Sequence, residues 1–360
     1  MIFDKFGGVL LFFLLFFGNI LAVSIKYQQR KGKKMKLLKL FSLSLISMMY
    51  VFSNANAADF TIKLAHNGPE QHPFQDGALA FKSELEKSSN GAIEVQIFPG
   101  EQLGDEEATS QMIKLGTLQC AIESAGGGLA PFVPEADLLN LPFVFDDVEH
   151  FYRVVDGPIG TGLAGKVESA LNAKFMGWYF SGIRNVWNDE RAVKSPDDLK
   201  GLKIRVMGSP VLIDTFNALG AQATPMSFGE VYTSIQQGVI DGAETDHVDL
   251  LVENFYEVTE HVSLTGHMYL GAGLVCSNKF LDTLPADLKE KVVNAAKSSV
   301  SVERAAMASM TGDALKQLKE KGLKFYDVDL GPFRKKVESV YLKNADNVGG
   351  MAAIQALAKQ

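Results

Sequence analysis

Residues 181–244 decide the fold of this chain: SGIRNVWNDERAVKSPDDLKGLKIRVMGSPVLIDTFNALGAQATPMSFGEVYTSIQQGVIDGAE. Two short strand-like pieces occur in this stretch, and each carries one arginine in an apolar setting. Arg184 follows an isoleucine, and Arg205 lies in the period-two run LKIRV, which is typical of a half-buried strand. The stretch therefore predicts an α/β domain in which two arginines lie on strands.

The two arginines are the first candidates for a binding site. A guanidinium that is buried among aliphatic side chains needs a planar anionic partner, and no acidic residue neighbours Arg205 in the sequence. A bound carboxylate would meet this need. The alternative for either Arg184 or Arg205 is a side chain that reaches water or pairs with a distant Asp.

The same stretch resembles the signature region of the solute-binding proteins of tripartite ATP-independent periplasmic (TRAP) transporters, the DctP family. The resemblance extends from about residue 58 to the C-terminus. The matching segments are GIR (182–184), PDDLKGLKIRVM (196–207), LGAQATPMSFGEVYTSIQQGVIDGAE (219–244), LGDEE near 105 and AIES near 123. They occur in the order and spacing of the family.

The resemblance implies a two-lobed periplasmic binding protein of type II-like α/β fold, with hinge strands and a long helix across both lobes. We expect lobe I to comprise residues 58–181 and about 270–309, and lobe II to comprise residues 182–269 and about 310–360. A helical pattern at 286–321, broken only at Gly312, is consistent with this fold. It would be roughly 50 Å long at 1.5 Å per residue.

The N-terminal residues carry two consecutive export signals. Residues 8–25 form an apolar run followed by a basic cluster, which is typical of a membrane anchor. Residues 35–57 have a basic start, an apolar middle and the small residues Ala55-Asn56-Ala57, so they predict a signal peptide cleaved before Ala58. We expect residues 1–34 to be a mis-extended reading frame, or an inner-membrane anchor, and the mature protein to be periplasmic.

Composition and charge exclude several classes of partner. Hydrophobic residues make up 47% of the chain, which is enough for a large core. Without residues 1–57 the chain has 27 basic and 41 acidic residues, a net charge of about −14. Such an acidic protein is a poor partner for nucleic acids or anionic membranes, so local arginines must attract an anionic ligand.

Two cysteines, Cys120 and Cys276, lie in apolar strand-like runs. In an exported protein they could form a disulfide, but buried free thiols are the favoured interpretation.

Polar residues of the first lobe are predicted to contact the ligand. Asn67 and Glu123 lie toward the carboxyl ends of predicted strands, where ligands bind in open α/β lobes. In the resemblance, these two positions and Asp105 correspond to residues that contact the ligand in the sialic-acid-binding members. The alternative for Asp105 is a helix N-cap. We expect His72, just before a helix, to line the cleft.

The second lobe contributes three more candidates. Phe228, at a helix start, can stack on an apolar face of a ligand. Trp187 is either part of the core or a wall of the cleft. Many family members have Glu-Asn where this chain has Glu244-Thr245, and a threonine hydroxyl is shorter than an asparagine amide. We therefore include Thr245 in the predicted site and expect the ligand to differ from sialic acid.

The sequence lacks the motifs of common enzymes and cofactor sites. It has no GxSxG, HExxH or P-loop motif, and its histidines lack metal-binding spacing. A GxGxxG match at 160–165 follows a helical segment rather than a strand, so it predicts a turn and a helix start. We expect no cofactor, no metal and no enzymatic activity.

The predicted function is that of a TRAP solute-binding protein. Arg205, with Arg184, would hold the carboxylate of a small organic acid while the first lobe contacts its hydroxyls. A sugar acid such as a uronate or aldonate is favoured; the alternatives are a C4-dicarboxylate or a 2-keto acid, and an enzyme or sensor on the same fold. The partners would be the ligand and the membrane permease, and we expect a monomer.

Overall fold

The computed structural model describes residues 58–359, so the predicted anchor and signal peptide lie outside the described part of the chain. Its strands form one mixed sheet in the order β2-β1-β3-β8-β4-β7-β5-β6, with β9 paired to β8. The strands are β1 (Phe60–Ala65), β2 (Ile93–Phe98), β3 (Cys120–Ser124), β4 (Ala173–Asn188), β5 (Lys203–Val206), β6 (Gln222–Pro225), β7 (Gly242–Thr245), β8 (His261–Ser277) and β9 (Lys324–Asp327).

The α-helices lie between these strands and after them. They are α1 (Pro73–Ser88), α2 (Glu106–Leu115), α3 (Val148–Asp156), α4 (Pro158–Leu171), α5 (Pro210–Leu219), α6 (Val231–Gln236), α7 (His247–Val252), α8 (Asn278–Leu281), α9 (Ala286–Glu320), α10 (Leu330–Asn344) and α11 (Met351–Leu357). Within residues 58–359, none of these helices is both long and apolar enough to cross a bilayer.

Two long antiparallel strands, β4 and β8, join the two halves of the sheet. Strands β2, β1 and β3 extend from the C-terminal part of β8, whereas β7, β5 and β6 extend from the C-terminal part of β4. The sequence indicated a short strand-like piece around Arg184, but β4 is a continuous strand of 16 residues that includes it. Strand β8 is likewise continuous, over 17 residues.

The continuity of β4 depends on a glycine. The pairing of β4 with β8 shifts register between Phe180 and Ile183. Gly182 lies in this irregular step with φ of +91°, a conformation that favours glycine, and a Cβ there would lie 2.5 Å from the Cβ of Asp246. The strand can therefore change register without ending.

The long helix α9 packs on both halves of the sheet. In its N-terminal half, Val292 and Ala295 belong to the same buried cluster as Phe81 of α1. Near its C-terminus, Leu318 packs in a cluster with Phe255. The helix runs without interruption through Gly312, which the sequence pattern had marked as a break.

A buried carboxyl group lies in the middle of α9. Glu303 is fully buried and accepts a hydrogen bond of 3.0 Å from the main-chain N–H of Phe180, beside the irregular step of β4. Burial raises the pKa of Glu303 to about 8. This contact links the helix to the point where the two halves of the sheet meet.

The preference for free thiols was wrong, because Cys120 and Cys276 form a disulfide. They are directly opposite each other in the antiparallel pair of β3 and β8, with a Cα–Cα distance of 4.1 Å. The neighbouring pair, Gln119 and Ser277, is joined by a main-chain hydrogen bond. The cysteines therefore occupy a closely spaced position of the ladder, which strand register decides.

Candidate ligand-binding site

Two adjoining cavities lie where the halves of the sheet meet. The empty space in and around the inner cavity is about 310 Å³ and that of the outer one about 610 Å³, open solvent at their mouths included. Both are lined by Glu106, Arg205, Met207 and Phe228. The inner cavity brings together five of the predicted site residues: Asn67, His72, Arg184, Arg205 and Phe228. It also includes six lining residues that the sequence did not predict: Glu106, Ser124, Ser181, Met207, Asp249 and Leu270.

Arg205 is a buried cation with no carboxylate partner among the residues that the structure describes. It is 3% exposed, and its Nε and Nη2 donate hydrogen bonds of 3.0 and 2.8 Å to the carbonyl of Met226. Its guanidinium carbon lies 5.6 Å from the centre of the Phe228 ring. Among residues 58–359, no Asp or Glu oxygen lies within 4.0 Å of its nitrogens. Burial lowers the pKa of Arg205 to about 10.

Arg184 is equally buried but already neutralised. Its Nε lies 2.5 Å from Oε2 of Glu244, its Nη2 lies 3.1 Å from Oε1, and Nη2 also donates to the Glu244 carbonyl. Its Nη1 lies 3.6 Å from Oδ2 of Asp249. Burial acts to raise the pKa of Glu244, but Arg184 and nearby His267 lower it to about 2. Arg184 lines the cavity, yet it has the distant acidic partner that the sequence had left as an alternative.

His72 faces the cavity from the start of α1. Its Nδ1 accepts a hydrogen bond of 3.1 Å from the N–H of Phe74, so the neutral ring carries its proton on Nε2. Nε2 lies 3.5 Å from Oδ1 of Asp249, across the cavity. Burial lowers the pKa of His72 to about 3, so the ring is neutral at physiological pH.

Asp105 and its neighbour Glu106 have different roles. Asp105 caps α2, with Oδ1 accepting a hydrogen bond of 2.9 Å from the N–H of Ala108, and it lines the outer cavity only. Glu106 lines both cavities. The sequence analysis missed Glu106, although the phase of the helix could have revealed it. Glu106, Thr109, Ser110 and Ile113 form the buried face of α2.

The environment of Glu106 is unusual for a buried carboxyl group. It is 8% exposed and accepts hydrogen bonds from Ser124, 2.6 Å from the main-chain N and 2.8 Å from Oγ. In the described part of the chain, no Lys, Arg or His nitrogen lies within 4.0 Å of it. Burial raises the pKa of Glu106 to about 7, against the opposing effect of the Ser124 hydrogen bonds.

Three predicted site residues line neither cavity. Glu123 is fully buried behind Glu106 and accepts a hydrogen bond of 2.7 Å from Thr109; burial raises its pKa well above the usual range. Trp187 is a core residue that stacks on Phe255 with ring centres 5.1 Å apart. Its indole N–H donates to Oγ1 of Thr245 at 3.0 Å, so the Thr245 hydroxyl is engaged in the core.

No metal centre is evident near these residues. Across residues 58–359, no group of three or more His, Cys, Asp or Glu side chains is arranged to hold a metal ion. The cleft instead combines one buried cation that has no carboxylate partner in the described chain, Arg205, with neutral and acidic hydrogen-bonding groups, an arrangement that can bind an organic anion.

Comparison with known proteins agrees with this geometry. The family model for the bacterial extracellular solute-binding proteins, family 7 (DctP), matches residues 64–347. The chain belongs to this family. As a DctP-family protein it is a TRAP solute-binding protein with the two-lobed α/β fold of its structural neighbours, so the resemblance is confirmed.

Three relatives illustrate the similarity, and two of them are solved structures with a bound ligand. A solute-binding protein of Verminephrobacter eiseniae is 35% identical, covering 76% of this chain and 81% of the relative. A TRAP protein of Polaromonas sp. JS666 bound to D-erythronate is 33% identical, with a TM-score of 0.80 and coverage of 83% of this chain and 98% of that chain. One of Sulfurospirillum deleyianum with bound succinate is 31% identical, with the same TM-score and coverage.

Proposed function

We propose that this protein captures a sugar acid, such as an aldonate or a uronate, and delivers it to a TRAP permease. The main support is the environment of Arg205. It is a buried cation that lines both cavities and has no carboxylate partner in the described chain. A ligand carboxylate supplies the missing anion and can accept two N–H bonds from the guanidinium, the strong bidentate arrangement.

The rest of the cavity suits a hydroxylated ligand. Asn67 and Ser181 offer groups that donate and accept hydrogen bonds, and Glu106 offers an acceptor. Phe228 can cover an apolar face of the ligand beside the carboxylate.

The relatives leave the ligand class open on similarity alone. The erythronate-bound and succinate-bound neighbours are nearly equally similar to this chain. The choice of a sugar acid over a C4-dicarboxylate therefore rests on the residues of the cavity, where Arg205 is the lining arginine whose charge is not already balanced.

Capture and delivery follow from the lobed fold. Residues 35–57 would direct export to the periplasm, and the mature protein would act there as a monomer. Closure of lobe I (58–181 and about 270–309) on lobe II (182–269 and about 310–360) would bury the ligand. The closed protein would then dock on the membrane permease and release the acid chemically unchanged, so no enzymatic activity is involved.

The test is a binding screen followed by calorimetry. A sugar acid at about a hundred times its Kd should stabilise the protein by roughly 2.7 kcal/mol, which is several degrees in Tm. The substitution Arg205→Met should weaken that binding by about a hundredfold or more, and Arg205→Lys by about tenfold, because the ammonium lacks the planar fork.

Arg191→Met is the matched control. Arg191 is exposed and, like Arg205, donates from Nε and Nη2 to main-chain carbonyls, at 2.9 and 2.8 Å, but it lines neither cavity. Its loss should leave affinity unchanged. If Arg205→Met reduced affinity by less than about tenfold, or if only neutral sugars bound, the carboxylate clamp would be abandoned.

A further inference from the structure

One side of the outer cavity is built from acidic residues of a single short segment. Glu101, Asp105, Glu106 and Glu107 all line it, and we call these four residues the acidic wall. Arg205 is the basic residue that lines the same cavity. A ligand held by Arg205 in this cavity therefore shares the cavity with carboxyl groups of the protein.

Two members of the acidic wall have oxygens that can still accept hydrogen bonds. Glu101 accepts an N–H bond of 3.0 Å from Gly229 on Oε2, while its Oε1 is buried with no hydrogen-bond partner. Glu106 accepts one hydrogen bond on each oxygen, both from Ser124, and a carboxylate oxygen can accept two. A buried acceptor without a donor is costly, so a ligand that donates here gains affinity.

A hydroxyl group and a second carboxylate would meet the acidic wall very differently. The hydroxyl donates a hydrogen bond to Glu101 or Glu106 and brings no charge. The carboxylate can only accept hydrogen bonds, and its negative charge is repelled by the negative charge of the acidic wall. The other arginine of the inner cavity cannot compensate, because Arg184 is already bonded to Glu244.

We propose that Glu106, within the acidic wall, makes the cleft select hydroxylated acids with one carboxylate over dicarboxylates of the same carbon skeleton. This inference rests on the proposed function, since it takes the first carboxylate to lie on Arg205. It assigns Glu106 as a specificity-determining residue and predicts weaker binding of the dicarboxylate alternative.

Two matched ligand pairs test the proposal. D-Erythronate and meso-tartrate differ only in a terminal CH₂OH that is oxidised to a carboxylate in the second compound, and D-galactonate and galactarate differ in the same way. Dissociation constants are measured by calorimetry on protein purified after expression of the full chain. In the pair whose size fits the cleft, the monocarboxylate should have a Kd at least about a hundredfold lower than that of the dicarboxylate.

The variant Glu106→Gln keeps the shape of the side chain and removes its charge. It should reduce the preference for the monocarboxylate by at least about tenfold, mainly through tighter binding of the dicarboxylate. Glu94→Gln is the control, because Glu94 is an exposed residue of β2 outside both cavities and its change alters net charge equally. The control should keep the full preference.

A pH series on the unmodified protein gives a second, independent readout. Glu106 faces Glu101, Glu123 and Arg205, and burial raises its pKa to about 7. Glu106 is therefore mostly protonated at pH 6 and mostly ionised at pH 8, while all four ligands stay ionised throughout. The preference should rise with pH across this range and stay level in Glu106→Gln.

The outcomes separate this inference from the proposed function. A monocarboxylate that binds in an Arg205-dependent manner with less than about threefold preference, or with a preference unchanged in Glu106→Gln, overturns the role of Glu106 and leaves the proposed function intact. If neither monocarboxylate nor any other sugar acid binds, both the proposed function and the role of Glu106 are rejected. If Glu106→Gln does not fold, the preference and its pH dependence in the unmodified protein decide.

Discussion

Arg184 on β4 and Arg205 on β5 are the same residue type in two different environments. Both are at most 3% exposed, and both line the inner cavity. Arg184 is enclosed by Glu244 and Asp249, whereas Arg205 has the carbonyl of Met226 and the ring of Phe228. Burial acts to lower the pKa of each, but Glu244 reverses the effect for Arg184 and raises its pKa.

The difference teaches that burial of a charge does not by itself identify a binding residue. A buried cation that has an internal carboxylate belongs to the architecture of the protein, since separating the pair leaves an isolated charge. A buried cation without an internal carboxylate has its charge neutralised only when an external anion binds. The partner, and not the burial, distinguishes the two arginines.

The largest expected effect comes from the same substitution at both positions. Arg184→Met should lower the free energy of unfolding by about 3–5 kcal/mol, because Glu244 remains buried without its cation. Arg205→Met should change it by less than about 1.5 kcal/mol in the absence of ligand, since an unpaired buried charge is lost along with its hydrogen bonds. Urea unfolding of the ligand-free proteins measures both, and equal losses would contradict the comparison.

A second effect concerns the pH dependence of the Arg184 pair. The pKa of Glu244 in the folded protein is about 2, below the usual value of 4.5. The stability contributed by the ionised carboxylate is therefore present above about pH 4.5 and is lost as pH falls through 2. In Arg184→Met this lowering is absent, so the two proteins should differ most at neutral pH.

The gap in unfolding free energy between the unmodified protein and Arg184→Met should shrink by more than about 1 kcal/mol from pH 7 to pH 3.5. Urea titrations at the two pH values check it. Arg191→Met is the control, and its gap should change much less, because Arg191 is the weakest of the interactions that lower the pKa of Asp198. A gap that widened on acidification would mean that Arg184 does not hold Glu244 ionised.

The smallest expected effect is at Thr245, which lies next to Glu244 in the chain. Thr245→Val removes the acceptor of the Trp187 indole hydrogen bond and should lower the free energy of unfolding by about 1 kcal/mol. Ligand affinity should stay within about twofold, because Thr245 lines neither cavity. A large loss of ligand affinity with an unchanged free energy of unfolding would instead indicate that Thr245 contacts the ligand.

Much of the fold was predictable because its signals are local. The alternation around Arg205 corresponds to β5, and the helical pattern after residue 285 corresponds to the long helix α9. The family segments, which carry the same local patterns in a specific order, predicted the two-lobed α/β fold. The N-cap role that the sequence left open for Asp105 is also observed, at the start of α2.

The candidate site was predictable only in part. Arg205, Arg184, Asn67, His72 and Phe228 do line the inner cavity, but Glu106 was missed in favour of its neighbour Asp105. The segment LGDEE contains three consecutive acidic residues, all of which line the outer cavity, and which of them also reaches the inner cavity depends on the rotation of α2 against β3. A one-residue difference turns a helical side chain by about 100°, so composition could not decide it.

The sequence by itself determined the class of the fold, the family and the arginines that matter, because these depend on periodicity and on short ordered segments. Only the tertiary structure decided which arginine is free. Glu244 lies 60 residues from Arg184 in the chain and reaches it through the pairing of β4 with β7. The same holds for the disulfide between Cys120 and Cys276, 156 residues apart. Strand register sets both contacts, and no local pattern encodes the register between distant strands.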